Sequence, residues 1–192
     1  MSEGIARRTV IGQIAAATLL GPIGIAEAQH VHDAVAADTK STGVYPPKAL
    51  THHEFETLRA LSEMIVPGAA KGGAAEFVDI LAAQNQELLA IYTGGLAWLD
   101  QAMKREYGTD FLSSKPADST AMLDKIAYRR NETPALAPGI HFFAWARRLT
   151  VDAYYTSAAG IRELGYMGNK PRSEYTTPQE LIDYAVKRSG LS

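Results

Sequence analysis

The sequence predicts an all-α fold, a single-domain helical bundle of about five to six helices preceded by an extended N-terminal arm. In several segments apolar residues recur at steps of three and four, the spacing that keeps one side of a helix buried. Glycine and proline follow these segments, where helices commonly end. No segment alternates apolar and polar residues as a half-buried strand would, and no repeat is evident.

Length and composition favour one domain and exclude several kinds of chemistry. A chain of 192 residues is long enough to bury a sizeable core without staples. The formal net charge of -2 argues against nucleic-acid binding as the main role, because no excess of cations drives counterion release. The absence of cysteine excludes disulfides, thiolate catalysis, iron–sulfur clusters and covalent haem attachment in this chain.

Residues 1–28 are interpreted as an export leader. Arg7 and Arg8 are adjacent, and the mildly apolar run after them is too short and too interrupted for a comfortable membrane span. Ala26 and Ala28 supply the small-x-small pattern of a leader peptidase site, with cleavage after Ala28. Paired arginines with moderate hydrophobicity indicate the twin-arginine pathway, which exports folded proteins. An ordinary secretory leader and an uncleaved anchor are the alternatives.

Residues 29–50 lack a helical period and are predicted to form an extended arm. His30 and His32 in this arm could bind a divalent metal, but two imidazoles on a flexible segment make a weak site. His52 and His53 are adjacent at the start of a predicted helix, so their side chains point about 100° apart and do not converge on one ion. A mobile tail and surface histidines are the preferred interpretations.

The body, residues 51–192, begins with a helix over 51–66. Thr51 and Glu54 form a capping box, in which each side chain accepts from the backbone of the other residue. The apolar positions predicted to be buried are Phe55, Leu58, Leu61, Met64 and Ile65. Further helices are predicted over 74–83, 86–107 and 116–128, and from residue 178 onward. Gly94 and Gly95 each cost about 1 kcal/mol in a helix interior, which favours close approach of another backbone or a kink.

Residues 142–169 are predicted to form one long helix that runs into a sharp turn. The inward stripe consists of Phe142, Ala146, Leu149, Ala153, Ser157, Gly160 and Leu164. Gly165 follows where a left-handed cap is needed.

This stretch also concentrates the residue types of interface anchors. The candidate partner-surface residues are Trp145, Arg148, Tyr154, Tyr155, Tyr166 and Asn169. The alternative is a core helix with buried tyrosine rings, and both can hold. The basic pairs Arg129–Arg130 and Arg147–Arg148 are interpreted as solvated faces or local salt bridges.

Motifs of catalysis and of cofactor binding are missing from the sequence. No two glycines are separated by one residue, which excludes the dinucleotide fingerprint and its flavin variant. Tyr166 and Lys170 have the spacing of short-chain dehydrogenases, but Gly168 and Pro171 would break a helix there. No catalytic, cofactor-binding or metal-ligating residue is therefore predicted.

Four segments carry a resemblance to a known family. "RRLTVDAYYTSAAGIRELGYMGN", with "LRALSEMIVPG", "AAEFVDILAA" and "GLAWLDQAMKREYG" upstream, is similar to the gluconate 2-dehydrogenase subunit 3 family. The resemblance covers residues 50–169.

The resemblance implies a small helical subunit that binds a large flavin-dependent dehydrogenase of the glucose-methanol-choline type. It implies FAD in that partner, a cytochrome c subunit as electron acceptor, and no flavin or haem in this chain. The complex would oxidise a hydroxyl of a sugar, sugar acid or glycoside in the periplasm or at the periplasmic face of the cytoplasmic membrane. The rival hypothesis is a stand-alone exported helical protein that binds a metal or small ligand through His30, His32, His52 and His53; a third is an enzyme in its own right.

Overall fold

In a computed structural model of the protein, residues 2–19, 21, 23–165 and 177–189 are described, without the side chains of residues 2–8 and 42. All regular secondary structure in these residues is helical, so the predicted all-α class is confirmed. The helices are α1 (Ser2–Ala17), α2 (Ile25–Thr42), α3 (His52–Ile65), α4 (Ala74–Ala82), α5 (Gln86–Tyr107), α6 (Pro116–Ile126), a 3-10 helix (Arg129–Asn131), α7 (Ala137–Thr156), α8 (Ala158–Glu163) and α9 (Gln179–Ser189).

The short helix α4 lies at the centre of the domain. Every residue in it except Glu76 is buried. Helices α1, α2, α3, α5 and α7 all pack against it. A helix that is apolar on all sides is stable only when other elements surround it, so α4 determines how the other helices are arranged.

The prediction of an extended arm over 29–50 is wrong for most of that segment. Helix α2 spans Ile25–Thr42 and packs against α4 and α7, which leaves only residues 43–50 irregular. Its buried positions include Ala28 and Val31, with Val35 partly buried one turn later. These small side chains make the helical period faint in the sequence, and tertiary packing supplies the stability that local propensity does not.

Helix α1 also packs against the body, on α4 and α2, with Ile11, Ile14 and Ala15 buried. In the part of the chain that the structure describes, no helix has the length and apolarity needed to span a membrane.

A buried carboxylate attaches the segment after α2 to the central helix. Asp79 in α4 accepts hydrogen bonds at Oδ2 from the Tyr45 hydroxyl, 2.8 Å, and the Lys48 N–H, 2.7 Å. Its Oδ1 accepts from the N–H groups of Ala49, 3.0 Å, and Leu50, 2.9 Å. Burial and then the neighbouring Asp79 charge raise the pKa of Tyr45, which keeps the phenol protonated as a donor. The four donors offset the cost of burying the charge.

Helices α3 to α6 lie within a few residues of their predicted positions. The capping box is confirmed, since the Thr51 side chain accepts from the Glu54 N–H and the Glu54 carboxylate accepts from the Thr51 N–H. One predicted core position is wrong: the Met64 side chain is 41% exposed.

The long helix predicted from residue 142 is divided into α7 and α8 at Ser157. Ser157 has an extended backbone, with φ -74° and ψ 159°. Its hydroxyl accepts from the Gly160 N–H, 3.2 Å, and donates to the Tyr154 carbonyl, 2.6 Å. A serine hydroxyl that bonds to nearby backbone competes with helical hydrogen bonds, which explains the break.

The predicted inward stripe is buried from Phe142 to Gly160, but Leu164 is exposed. Helix α8 ends at Glu163, so Leu164 lies beyond the last position that faces the core. Gly165 has φ +62°, as its predicted role in a left-handed cap requires.

Gly94 and Gly95 are adjacent in α5 but have different surroundings. A Cβ on Gly95 would lie 2.0 Å from Cδ2 of Phe142 in α7, whereas no atom lies within 4 Å of a Cβ on Gly94. A close approach is therefore present at Gly95, but the neighbour is the Phe142 side chain and not the predicted backbone.

The two glycines should respond oppositely to alanine. We expect Gly94→Ala to raise the free energy of unfolding by about 0.5 to 1 kcal/mol, because alanine loses less backbone freedom in a helix interior. Gly95→Ala should lower it by about 1 to 3 kcal/mol, because Phe142 must move. Urea denaturation followed by circular dichroism measures both, and shifts of the same sign would contradict the asymmetry.

Loss of the charge on Asp79 should destabilise the whole domain. Asp79→Asn leaves one carbonyl oxygen to accept from four donors and brings an NH₂ group towards backbone N–H groups. The expected loss is about 2 to 4 kcal/mol. Asp124→Asn on the exposed side of α6 is the matched control and should stay within about 0.5 kcal/mol. Equal stabilities of the two variants would refute the anchoring role.

Candidate partner-binding surface

Four side chains form a stripe along α7 that is neither core nor fully solvated. Trp145, Arg148, Asp152 and Tyr155 follow one another at steps of three, four and three, and each is partly buried. This spacing places them on one side of the helix. We refer to these four residues as the α7 stripe.

Arg148 connects the α7 stripe to the segment that follows α1. Its guanidinium stacks on Trp145, with Cζ 4.1 Å from the ring centroid. Its Nη2 donates to the Thr18 carbonyl oxygen. The predicted leader therefore covers part of the surface on which sequence analysis placed a partner.

Two polar atoms of the α7 stripe lack partners among the described residues. Nε of Arg148 and Oδ2 of Asp152 are buried and make no hydrogen bond. Burial raises the pKa of Asp152, while the Ile23 N–H and the Arg148 charge lower it. A buried polar group without a partner costs about 1 to 3 kcal/mol. The hydrogen-bonding groups of Arg148 and Asp152 are therefore only partly paired within the described chain.

Tyr154 lies inside the domain. Its hydroxyl donates to Glu163 Oε2, 2.6 Å, and so ties α8 to α7. Its ring lies against the loop between α3 and α4, where a Cβ on Gly72 would be 2.8 Å from Cδ2 of the ring and one on Gly68 would be 3.1 Å from the hydroxyl oxygen. The Tyr155 ring contacts it edge to face, with centroids 5.1 Å apart. Of this predicted pair, Tyr154 supports the loop and Tyr155 faces outward.

Several predicted positions fall at the limits of the described chain. Tyr166 and Asn169 lie outside the described residues. Arg7 and Arg8 lie in α1, but their side chains are not described. Ala26 is exposed and Ala28 is fully buried in α2, so the predicted cleavage point lies within a helix.

Of the four histidines considered as a ligand site, His32 and His53 make separate contacts. His32 and His52 line a groove of about 1030 Å³ between α2, α3 and the loop before α4. His32 Nε2 lies 3.0 Å from Thr156 Oγ1, and burial lowers the pKa of this imidazole. His53 Nε2 instead lies 2.6 Å from Asp100 Oδ2. Among the described residues, no group of three His, Cys, Asp or Glu could hold a metal ion.

Comparison with known proteins identifies the family. A family model described as gluconate 2-dehydrogenase subunit 3 matches residues 52–172, more than half of the chain. The chain belongs to the gluconate 2-dehydrogenase subunit 3 family. The match confirms the resemblance found over residues 50–169. No curated protein and no solved structure matches the chain. The family description is that of a subunit of a dehydrogenase complex.

Three acidic residues in the motifs of this gluconate 2-dehydrogenase subunit 3 family member stabilise loops inside the fold. Glu63 accepts from the N–H groups of Gly68 and Ala70, 2.8 and 3.0 Å, and shapes the loop after α3. Asp100 accepts from the Phe111 N–H, 3.1 Å, and Asp79 anchors residues 45–50. Sequence analysis missed these acids because their partners are not in the same helix. An aspartate within an otherwise apolar helix was the available signal for Asp79.

Stability below neutral pH should depend on His32. Burial lowers its folded pKa below the ordinary value of 6.5, so the unfolded chain takes up a proton at higher pH than the folded chain. The stabilising effect of neutral His32 is therefore present above pH 6.5 and is lost as the pH falls through the folded pKa. Between pH 7.5 and 5, the melting temperature of wild type should fall further than that of His32→Gln. An equal fall in melting temperature for the two proteins would contradict this prediction.

Proposed function

We propose that this protein is the non-catalytic small subunit of an exported FAD-dependent dehydrogenase complex that oxidises a hydroxyl of a sugar, gluconate or a glycoside. The observation that carries the proposal is the family match over residues 52–172, which includes helices α3 to α8. The large flavin subunit of the glucose-methanol-choline type would hold FAD and perform the oxidation. A cytochrome c subunit would accept the electrons.

The proposed task of this chain is to support the folding, stability and export of the flavin subunit. A flavoprotein that receives its cofactor in the cytoplasm must cross the membrane folded, and the twin-arginine pathway carries folded cargo. Arg7 and Arg8 support a leader of this type at the start of the chain. The complex would then act in the periplasm or at the periplasmic face of the cytoplasmic membrane.

The α7 stripe is the proposed contact for the flavin subunit. Its aromatic and arginine side chains match the residue types that dominate binding energy at interfaces. Release of the segment around Thr18 and Ile23 would open Arg148 Nε and Asp152 Oδ2, two buried atoms without partners among the described residues, to groups of the flavin subunit. Trp145 and Tyr155 would add apolar contact on either side.

Co-expression separates the folding role from the export role. Without this chain, the flavin subunit should be insoluble or remain in the cytoplasm. With an Arg7→Lys, Arg8→Lys variant it should be soluble and flavin-loaded but still cytoplasmic, because only the export signal is lost. Dehydrogenase activity and bound flavin are measured in cytoplasmic and periplasmic fractions. Equal periplasmic activity with and without this chain would refute the proposal.

A further inference from the structure

One arginine from each of the two basic pairs, Arg129–Arg130 and Arg147–Arg148, lines the same cleft. Arg129 and Arg147 line one cleft of about 540 Å³, between the 3-10 helix and α7. Tyr128, His141 and Trp145 line the same cleft.

Of the two predicted alternatives, solvated faces and local salt bridges, the first holds for Arg129, Arg130 and Arg147: all three are exposed, and no ion pair of theirs is found among the described residues. The ion pairs found among the described residues involve Lys48, His53, Arg59 and Lys125. Arg130 instead stacks on Tyr128, with Cζ 4.4 Å from the ring centroid. Arg147 lies over Phe143, 5.9 Å from its centroid. The guanidinium groups of Arg129, Arg130 and Arg147 therefore retain N–H donors that can bind a carboxylate.

A second, apolar cleft of about 300 Å³ adjoins the first and shares Tyr128 and Arg147 with it. Met64, Leu123 and Phe143 contribute its apolar lining. The Tyr128 and Met64 side chains are 49% and 41% exposed, although both are large and largely apolar. We call the two clefts together the arginine cleft. Asp124 is the only carboxylate among its lining residues.

We propose that the arginine cleft docks the flavin subunit through a segment that carries carboxylate side chains and one apolar side chain. This inference rests on the proposed function and names the chemistry of the contact. The carboxylates would pair with Arg129 and Arg147, because a planar guanidinium binds a carboxylate through two parallel hydrogen bonds. The apolar side chain would enter the space between Met64, Tyr128 and Phe143.

Three observations favour a polypeptide as the occupant. The arginines are exposed, whereas a site for a small anion encloses its donors. Arginine, tyrosine, tryptophan and methionine are enriched at the centres of protein interfaces, and all four occur here without a lysine. Trp145 belongs to both the arginine cleft and the α7 stripe, so the two surfaces are continuous. The chain has a net charge of -2, so this positive cluster does not follow from a generally basic surface.

The test uses the complex purified after co-expression of the full-length chain with the flavin subunit. Its Kd is measured from dissociation on dilution, followed by the fluorescence anisotropy of a label on this chain, at low and high salt. The double variant Arg129→Glu, Arg147→Glu should raise Kd at least about 100-fold, because two attractive charge pairs become repulsive. Its binding should also lose the salt dependence of wild type. Tyr128→Ala should raise Kd about tenfold and keep that salt dependence.

The matched control is Lys71→Glu, Arg162→Glu, which makes the same change in charge. Both residues are exposed and line the groove beside His32, which shares no residue with the arginine cleft. Its Kd should stay within about threefold of wild type. Thermal melting checks that each variant is folded, and Arg129→Ala with Arg147→Ala replaces the charge reversal if that protein melts early.

The possible outcomes distinguish this inference from the proposed function. If the wild-type chain does not bind the flavin subunit, the docking inference and the proposed function are both refuted. If wild type binds and the Arg129 and Arg147 variants bind equally well, or if the control weakens binding as much, the arginine cleft is not the docking site and the proposed function stands.

Discussion

The fold depends on one constraint, that a short helix with apolar residues on every side must be enclosed. Five helices enclose α4, namely α1, α2, α3, α5 and α7, and these contacts bring distant parts of the chain together. Its one buried charge, Asp79, receives four donors from the segment before α3. The apolar surface of α4 thus fixes the packing, and its carboxylate fixes the path of the chain into the body.

The family motifs contain residues of the internal framework as well as residues of both candidate surfaces. Glu63, Asp79, Asp100 and Ser157 each tie a loop or helix end to its neighbour. None belongs to the α7 stripe or the arginine cleft. These internal hydrogen bonds fix the positions of the loops and helix ends, and so of the exposed side chains that they carry. The structure is needed to separate the two sets, because Arg148, Asp152 and Tyr155 of the α7 stripe lie in the same motif as Ser157.

Local signals decided how much could be predicted. Helices α3 to α6 carry both an apolar period and end signals, and their positions were predicted within a few residues. Helix α2 was missed because its buried residues are small, and the break at Ser157 was missed because it depends on a side-chain hydroxyl. On the candidate surface, Trp145, Arg148 and Tyr155 do share one side of α7, whereas Tyr154 is internal. That Arg129 and Arg147 line the same cleft is visible only in the tertiary structure, because no local sequence pattern predicts that their segments are adjacent.

The bond from Arg148 to the Thr18 carbonyl makes two occupants of α7 mutually exclusive. A guanidinium that already holds the chain's own N-terminal segment must release it before another polypeptide lies along the same side chains. Association there is then an exchange, and its net strength is the difference between two sets of contacts. If residues 1–28 are removed and α7 binds the flavin subunit as proposed, the precursor and the processed chain would bind that subunit with different strengths.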